Sequence, residues 1–243
     1  MAKKSGLGDR FWVHGFDLSG DVGSINRIST PVAQLPMTGI SSSAEERLFG
    51  RVDGLIDFQS WFNDAALQSH PALSGLLTTD LIVTYCRGAA AGDPAFWIVS
   101  KQVNYDPARG DDGSLDINVQ AVKTGTAVPE WGVSLVAGKV THPSAASSGS
   151  VDNTASSASG FAAVLHAFSI ASGTATPLVE HSTDDSIWAT LATFANVTAR
   201  TAERVTGAGT VNRYARFTTT GTFTTLVAWV GLRRGESVDR VAY

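Results

Sequence analysis

Apolar and polar residues alternate with a period of two in the middle of the chain. Residues 96–105 lead into a turn at 106–113, and Leu115, Ile117, Val119 and Ala121 alternate strictly on the return. This period is typical of strands with one buried and one polar face, and the turn holds the Pro, Gly and Asp residues that reverse a backbone. We predict a long hairpin whose sheet extends beyond its own domain.

Short β-rich runs separated by Gly, Pro, Asp and Asn predict a mainly β chain built as a sandwich or barrel. Residues 48–58 predict one strand with a bulge at Gly54, and residues 81–87 predict a buried strand. Asn63-Asp64 is a candidate cap for one short helix that runs to about Leu76. Residues 1–40 predict an extended arm with short strands. Further strands are expected over 161–170, 177–181, 212–218 and 222–232.

A small, polar stretch at 143–150 has the composition of a linker. It predicts two units, a first domain with an N-terminal arm over 1–147 and a C-terminal β-sandwich over 148–243.

Composition and charge argue against several classes of binding partner. The net charge of −4 and the pI of about 5.7 argue against adhesive nucleic-acid binding. The single cysteine, Cys86, excludes an internal disulfide and indicates a reducing compartment. No apolar segment follows Lys3-Lys4, so we expect no signal peptide. The apolar runs are shorter than the roughly 20 residues of a membrane helix, so no membrane partner is expected.

Catalytic motifs are absent from the sequence. It contains no G-x-S-x-G, P-loop or H-E-x-x-H pattern, and its five histidines lack metal-ligand spacing. The acidic pairs Glu45-Glu46, Asp111-Asp112 and Asp184-Asp185 fit solvated loops better than a catalytic pair or a Ca²⁺ site. We predict no enzymatic activity, no cofactor and no metal. Trp188 follows one acidic pair and is the candidate glycan contact.

Five segments of the first half occur in a recognisable order. They are Arg51-Val52-Asp53-Gly54, Trp61-Phe62-Asn63-Asp64, the strand at 80–85, Lys101-Gln102-Val103-Asn104-Tyr105-Asp106 and the block at 109–115. With them, residues 10–140 resemble the major tail proteins of long-tailed bacteriophages, especially actinobacterial ones. Residues 180–188 and 213–217 and the last strand look like the outer β-sandwich added to some of these proteins, and galactose-binding-like sandwiches show a similar pattern.

The resemblance implies a virion protein that is made in the cytoplasm of the bacterial host. Such proteins form hexameric rings that stack into a tail tube with a tail-tube-type β-domain, and DNA passes through the lumen only as cargo. Other tail proteins bind at the tube ends. A loop and the termini link successive rings, so the expected contacts between subunits are Tyr105, Asp106, Arg109, Asp111 and Asp112. The family pattern contains no catalytic residues.

The residues are compatible with this resemblance. Pairing across subunits removes open strand edges, and a lumen that is neutral to acidic avoids holding DNA. The alternative is a glycan-binding or cell-surface-binding β-sandwich module of a phage particle, acting through Trp188. A secreted or tail-tip hydrolase is the third hypothesis. We expect the 105–113 loop and the N-terminal arm to become ordered on assembly, and removal of residues from about 148 onward to leave tube formation intact.

Overall fold

The computed structural model describes residues 5–76 and 79–235. Lys3 and Lys4, from the expected N-terminal arm, lie outside these residues. The strands are β1 (Arg10–Val13), β2 (Phe16–Asp17), β3 (Val22–Ser29), β4 (Val32–Pro36), β5 (Arg47–Val52), β6 (Leu55–Trp61), β7 (Asp80–Cys86), β8 (Pro94–Gln102), β9 (Asp106–Arg109), β10 (Leu115–Lys123), β11 (Glu130–Ser134), β12 (Val140–His142), β13 (Ser147–Asp152), β14 (Phe161–Ser182), β15 (Ala189–Thr193), β16 (Thr201–Gly207) and β17 (Tyr214–Arg234). The helix α1 spans Ser69–Gly75. The predicted mainly β class with one short helix is confirmed for the described part of the chain.

Strands β1, β7 and β8 form a central layer that is buried on both faces. Leu81 and Val83 of β7 join a smaller core, whereas Ile82 and Cys86 join a larger core on the other face. Trp97 of β8 points to the larger core in the same way. Alternation along a strand sends successive side chains to opposite faces. Burial on both faces therefore explains why Leu81, Ile82 and Val83 are apolar without alternation.

The smaller core lies inside a curled sheet. Antiparallel pairing connects β2, β1, β7, β8, β10, β6 and β3 in that order. Phe58, Phe96 and Ile98 are fully buried in this core, and α1 adds Ala72 and Leu73 to it. The predicted inward residues of β10 belong here, since Ile117, Val119 and Ala121 are all buried.

The larger core is built around the two longest strands. β14 and β17 pair antiparallel from Phe161↔Arg234 to Ser182↔Tyr214, with a bulge between Ala167 and Ser169. Strand β16 flanks the first part of β14, and β15 flanks its last part. Strands β11, β12 and β13 pair with β17. The core includes Trp97 of the first half and Trp229 of the second half.

Several expectations about individual elements were wrong. Residues 48–58 are not one bulged strand, because β5 ends at Val52 and β6 begins at Leu55 in a different sheet. Gly54 lies at the break, where a Cβ would collide with the Pro129 ring. The helix does not begin at Asn63, whose side chain instead accepts a hydrogen bond from the Ala65 N–H at 3.1 Å.

The predicted hairpin has a different pairing. β10 pairs with β6 over residues 116–122 and meets β8 only at 121–123. Residues 106–109, expected in the turn, form β9 and pair with β10. This arrangement gives β10 strand neighbours within its own chain on both sides.

The two ends of the first unit also differ from expectation. Residues 10–13 form the buried strand β1 instead of lying in an extended arm. Residues 147–152, expected at the linker, form β13 and pair with β17. The division into 1–147 and 148–243 stays a prediction, and the larger core contains residues from both sides of it.

Candidate assembly surface

The hairpin of β4 and β5 forms a sheet of its own. Val32 pairs with Val52, and Pro36 pairs with Arg47. Neither strand pairs with another strand in the described part of the chain. A lone two-stranded hairpin is marginally stable in water. It therefore gains order from any surface that covers it.

The hairpin carries a cluster of exposed apolar side chains. The exposed fractions are 50% for Leu35, 58% for Met37, 109% for Ile40, 52% for Leu48 and 65% for Phe49. Five of the twelve large exposed apolar residues in the described chain thus fall within residues 35–49. Burying half of such a side chain stabilises by about 1 kcal/mol. Clustered exposure of this kind makes the hairpin a candidate interaction surface.

The hairpin tip, defined as residues 35–49, is fixed by its own polar contacts. The Met37 N–H donates to the Glu46 carbonyl at 2.9 Å, which lengthens the ladder. The Glu46 carboxylate accepts a hydrogen bond from the Ser42 hydroxyl at 3.0 Å, and Arg47 pairs with Glu45. Two carboxylates and one guanidinium leave the tip with a net negative charge.

A groove lies at the opposite end of the hairpin. Two adjoining clefts of about 760 and 660 Å³ share Val52 and Val128 in their linings. We call them together the base groove. Its apolar lining includes Val32 and Trp131, and Trp131 is 49% exposed. Its charged lining residues are Arg51, Asp53, Lys123, Arg233 and Arg234. The groove is therefore basic and partly apolar.

The contact residues expected from the sequence lie around β9 and the turn that follows it. The Tyr105 hydroxyl bonds the Nδ1 atom of His70 on α1. Asp106 accepts a hydrogen bond from the Asn104 amide at 2.6 Å. Asp112 accepts two from Ser114, and these lower the pKa of its carboxyl.

Arg109 and Asp111 are exposed at the same turn. Every residue of β9 is exposed, and β10 is the one strand in the described part of the chain that pairs with it. The structure thus brings the five expected residues to one end of the smaller core. Their role in contacts between subunits stays a prediction.

Trp188 lies away from this end, in the second half. The Arg216 guanidinium lies 4.1 Å from the ring centroid, and Arg216 also pairs with Glu180 at 2.7 Å. One face of the indole ring is therefore already covered by a cation. Asp184 accepts hydrogen bonds from the Ser186 and Ile187 N–H groups, which lower its pKa and suit a turn. A glycan contact at Trp188 stays a prediction.

A buried ion-pair network was missed in the sequence. The Glu130 carboxylate, 6% exposed, accepts hydrogen bonds from Trp97 Nε1 at 2.8 Å and from Arg204 at 2.8 and 3.0 Å. Arg233 lies 3.5 Å from it. Glu130 thus ties β8 to β16 and β17. In the sequence, Glu130 is a single acidic residue between Pro129 and Trp131. No basic residue lies at a regular spacing from it that would predict an ion pair.

His166 forms another buried polar junction between the halves. Its Nδ1 accepts a hydrogen bond from the Gly15 N–H at 3.1 Å, so its Nε2 carries the proton and donates to the Thr84 hydroxyl at 2.8 Å. Burial lowers the pKa of His166 to about 3. The ring is thus a neutral structural link between β14 and the first half.

The described part of the chain contains neither a metal-binding cluster nor a membrane-spanning helix. No group of three metal-binding side chains occurs there. Within the same residues, no helix has the length and apolar character needed to cross a membrane. The arrangement best suited to recognition is the pair formed by the hairpin tip and the base groove.

Comparisons with known proteins found distant structural likenesses alone. No family model matches the sequence, and no curated protein matches it. Among solved structures, the Dit protein of phage SPP1, described as a paradigm of the hub adsorption apparatus in phages infecting Gram-positive hosts, is 10% identical with a TM-score of 0.33. That likeness covers 93% of this chain and 99% of the other.

The baseplate of phage p2 in its activated conformation with Sr gives 8% identity and a TM-score of 0.36. That likeness covers 93% of this chain and 98% of the other. These scores assign no family, and the function has to be inferred from the molecule itself.

Proposed function

We propose that this chain is a structural protein of a bacteriophage tail that assembles with other copies of itself. The observation that carries the self-assembly is the β4–β5 hairpin, which exposes five large apolar side chains and has no neighbouring strand in the described chain. The ordered set of motifs in residues 10–140 supports the phage-tail setting. Self-assembly covers surface that a solitary subunit leaves in water.

Two other strands with one described partner each, β3 and β9, are less suited to assembly. β3 has β6 as its described partner and carries two bulges, between Val22 and Ser24 and between Ile25 and Arg27. Bulges interrupt the ladder and discourage pairing with another chain. β9 has four residues, and Pro107 lacks an N–H donor. The β4–β5 hairpin is therefore the better candidate, and not the hairpin around residues 96–121.

The finer form of the proposal is a tail tube of stacked hexameric rings. It rests on the resemblance to major tail proteins, with the particle as location and the host cytoplasm as the place of synthesis. Copies of this chain and the proteins at the tube ends are then the partners, and DNA is passing cargo. The net charge of −4 supports a lumen that is neutral to acidic, because few cations are available to hold phosphates.

The test is assembly of the purified full chain, followed by sedimentation velocity over a concentration series and by negative-stain electron microscopy. We expect rings or tubes from the parent protein and monomers from Phe49→Glu, since a carboxylate on the tip opposes burial. Ile187→Glu is the matched control, because Ile187 is 79% exposed and lies outside the hairpin. A parent protein that remains monomeric at every concentration refutes self-assembly. A Phe49→Glu variant that assembles normally refutes the role of the hairpin.

A further inference from the structure

We propose that the hairpin tip of one copy docks in the base groove of a neighbouring copy. This inference deepens the proposed function and rests on it, because it names the two surfaces through which copies would join. The occupant of the groove is thus a second copy of this chain.

The geometry requires two molecules. Val32 and Val52, at the base of the hairpin, line the groove themselves. The tip lies at the far ends of β4 and β5, which have five and six residues. At about 3.3 Å per residue, the five steps from Val32 to Met37 place the loop beyond Met37 roughly 16 Å from the base, whereas Phe49 lies about 10 Å from Val52. A straight hairpin therefore cannot place the loop end of its tip, with Ile40, in the groove at its own base.

The hairpin tip and the base groove both expose apolar side chains. The tip offers Ile40 and Phe49, and the groove offers Val52, Val128 and Trp131. Trp131 packs at 5.3 Å between ring centroids against buried Phe96, so the groove side is held rigid by the smaller core. An exposed apolar tip and a rigid, partly open aromatic side chain suit an interface with a central anchor.

The charges are complementary. Glu45 and Glu46 make the tip acidic, while Asp53 is the one acid among the described residues that line the groove. Lys123 supplies a cation there, and its ammonium group donates a hydrogen bond to the Gly125 carbonyl at 2.8 Å. Arg234 lies at the other end of the lining. Complementary charge sets the register and speeds association.

Docking of this type is heterologous, because the tip and the groove are different surfaces of the same chain. A repeated heterologous contact closes into a ring or continues as an open filament. Two copies that docked into each other reciprocally would form a two-fold dimer through two tip-in-groove contacts, whereas two hairpins pairing with each other would leave both grooves empty. This difference gives the proposal a distinctive test.

The test mixes two variants that each lose one surface. Phe49→Glu removes the tip and leaves the groove, and Trp131→Glu removes the groove and leaves the tip. We expect each variant alone to sediment as a monomer and an equimolar mixture to form a one-to-one dimer. Circular dichroism is recorded for both. If Trp131→Glu is unfolded, Lys123→Glu takes its place.

We expect Lys123→Glu alone to raise the concentration needed for assembly at least about 10-fold, with Ile187→Glu unchanged. Combining Lys123→Glu with Glu46→Lys should restore part of the loss. Folded groove variants that assemble like the parent overturn the docking mode, even when Phe49→Glu is monomeric and self-assembly stands. A mixture that stays monomeric overturns it as well. A parent protein that never assembles refutes the proposed function instead.

Discussion

Trp229→Ala should destabilise both halves of the chain together. The Trp229 side chain is fully buried, and its ring lies 4.8 Å from Trp12 and 6.4 Å from Trp97, measured between centroids. Its Nε1 donates to the Ser134 hydroxyl at 2.6 Å. Replacing a buried Trp by Ala costs about 3–5 kcal/mol of unfolding free energy. For a chain of this size, that corresponds to a fall in Tm of roughly 10 °C.

The assay is urea unfolding under conditions that keep the protein monomeric, followed by far-UV circular dichroism and by the fluorescence of the remaining tryptophans. We expect one transition, shifted to lower urea at both probes, because Trp12 and Trp97 belong to the first half and pack on Trp229. Trp188→Ala is the control, since Trp188 is only half-buried and lies outside the core. Two separate transitions, with the first half unaffected, would refute the shared core.

Three further predictions follow from buried junctions. Because the pKa of His166 is lowered, its ring stays neutral in the folded state, whereas in the unfolded state it gains a proton below about pH 6.5. The free energy of unfolding should therefore fall by about 1.4 kcal/mol per pH unit between pH 6 and pH 4. His166→Gln should flatten this slope in urea titrations. Gly132→Ala should lose about 1–3 kcal/mol, because the new Cβ would lie 2.6 Å from the Leu232 carbonyl oxygen, whereas Gly149→Ala, with open space, should cost under about 1 kcal/mol in the same thermal melts. Removing residues from 148 onward should yield no soluble folded product, contrary to the expectation from the sequence, because Trp12 and Trp97 would be exposed; a soluble fragment with a cooperative melt would contradict this.

The sequence predicted which faces are buried better than which strands are neighbours. Alternation at Ile117, Val119 and Ala121 correctly marked the inward face of β10. It could not identify β6 as the main partner, because a period of two is the same for every pairing. The break at Gly54 depends on Pro129, which is distant in sequence, and no local rule contains that contact.

The candidate site was the least predictable part. Residues 35–49 contain apolar side chains without a clear period, next to charged residues. Without a period, the sequence does not predict which of these side chains are exposed. Glu130 is equally hidden, because its partners Arg204 and Arg233 approach only when β16 and β17 fold against β11. The ion pairs of Glu130 thus depend on contacts between segments that are distant in sequence, and local sequence patterns do not predict such contacts.

Amide hydrogen exchange of residues 32–52 in the free subunit and in the assembled state tests the central claim most directly. The hairpin amides should exchange rapidly in the free subunit, where a two-stranded sheet stands alone, and become strongly protected when copies assemble. Amides of β7 in the buried central layer should be protected in both states and serve as the internal reference. Equal protection of the hairpin before and after assembly would contradict the claim that copies of this chain join through it.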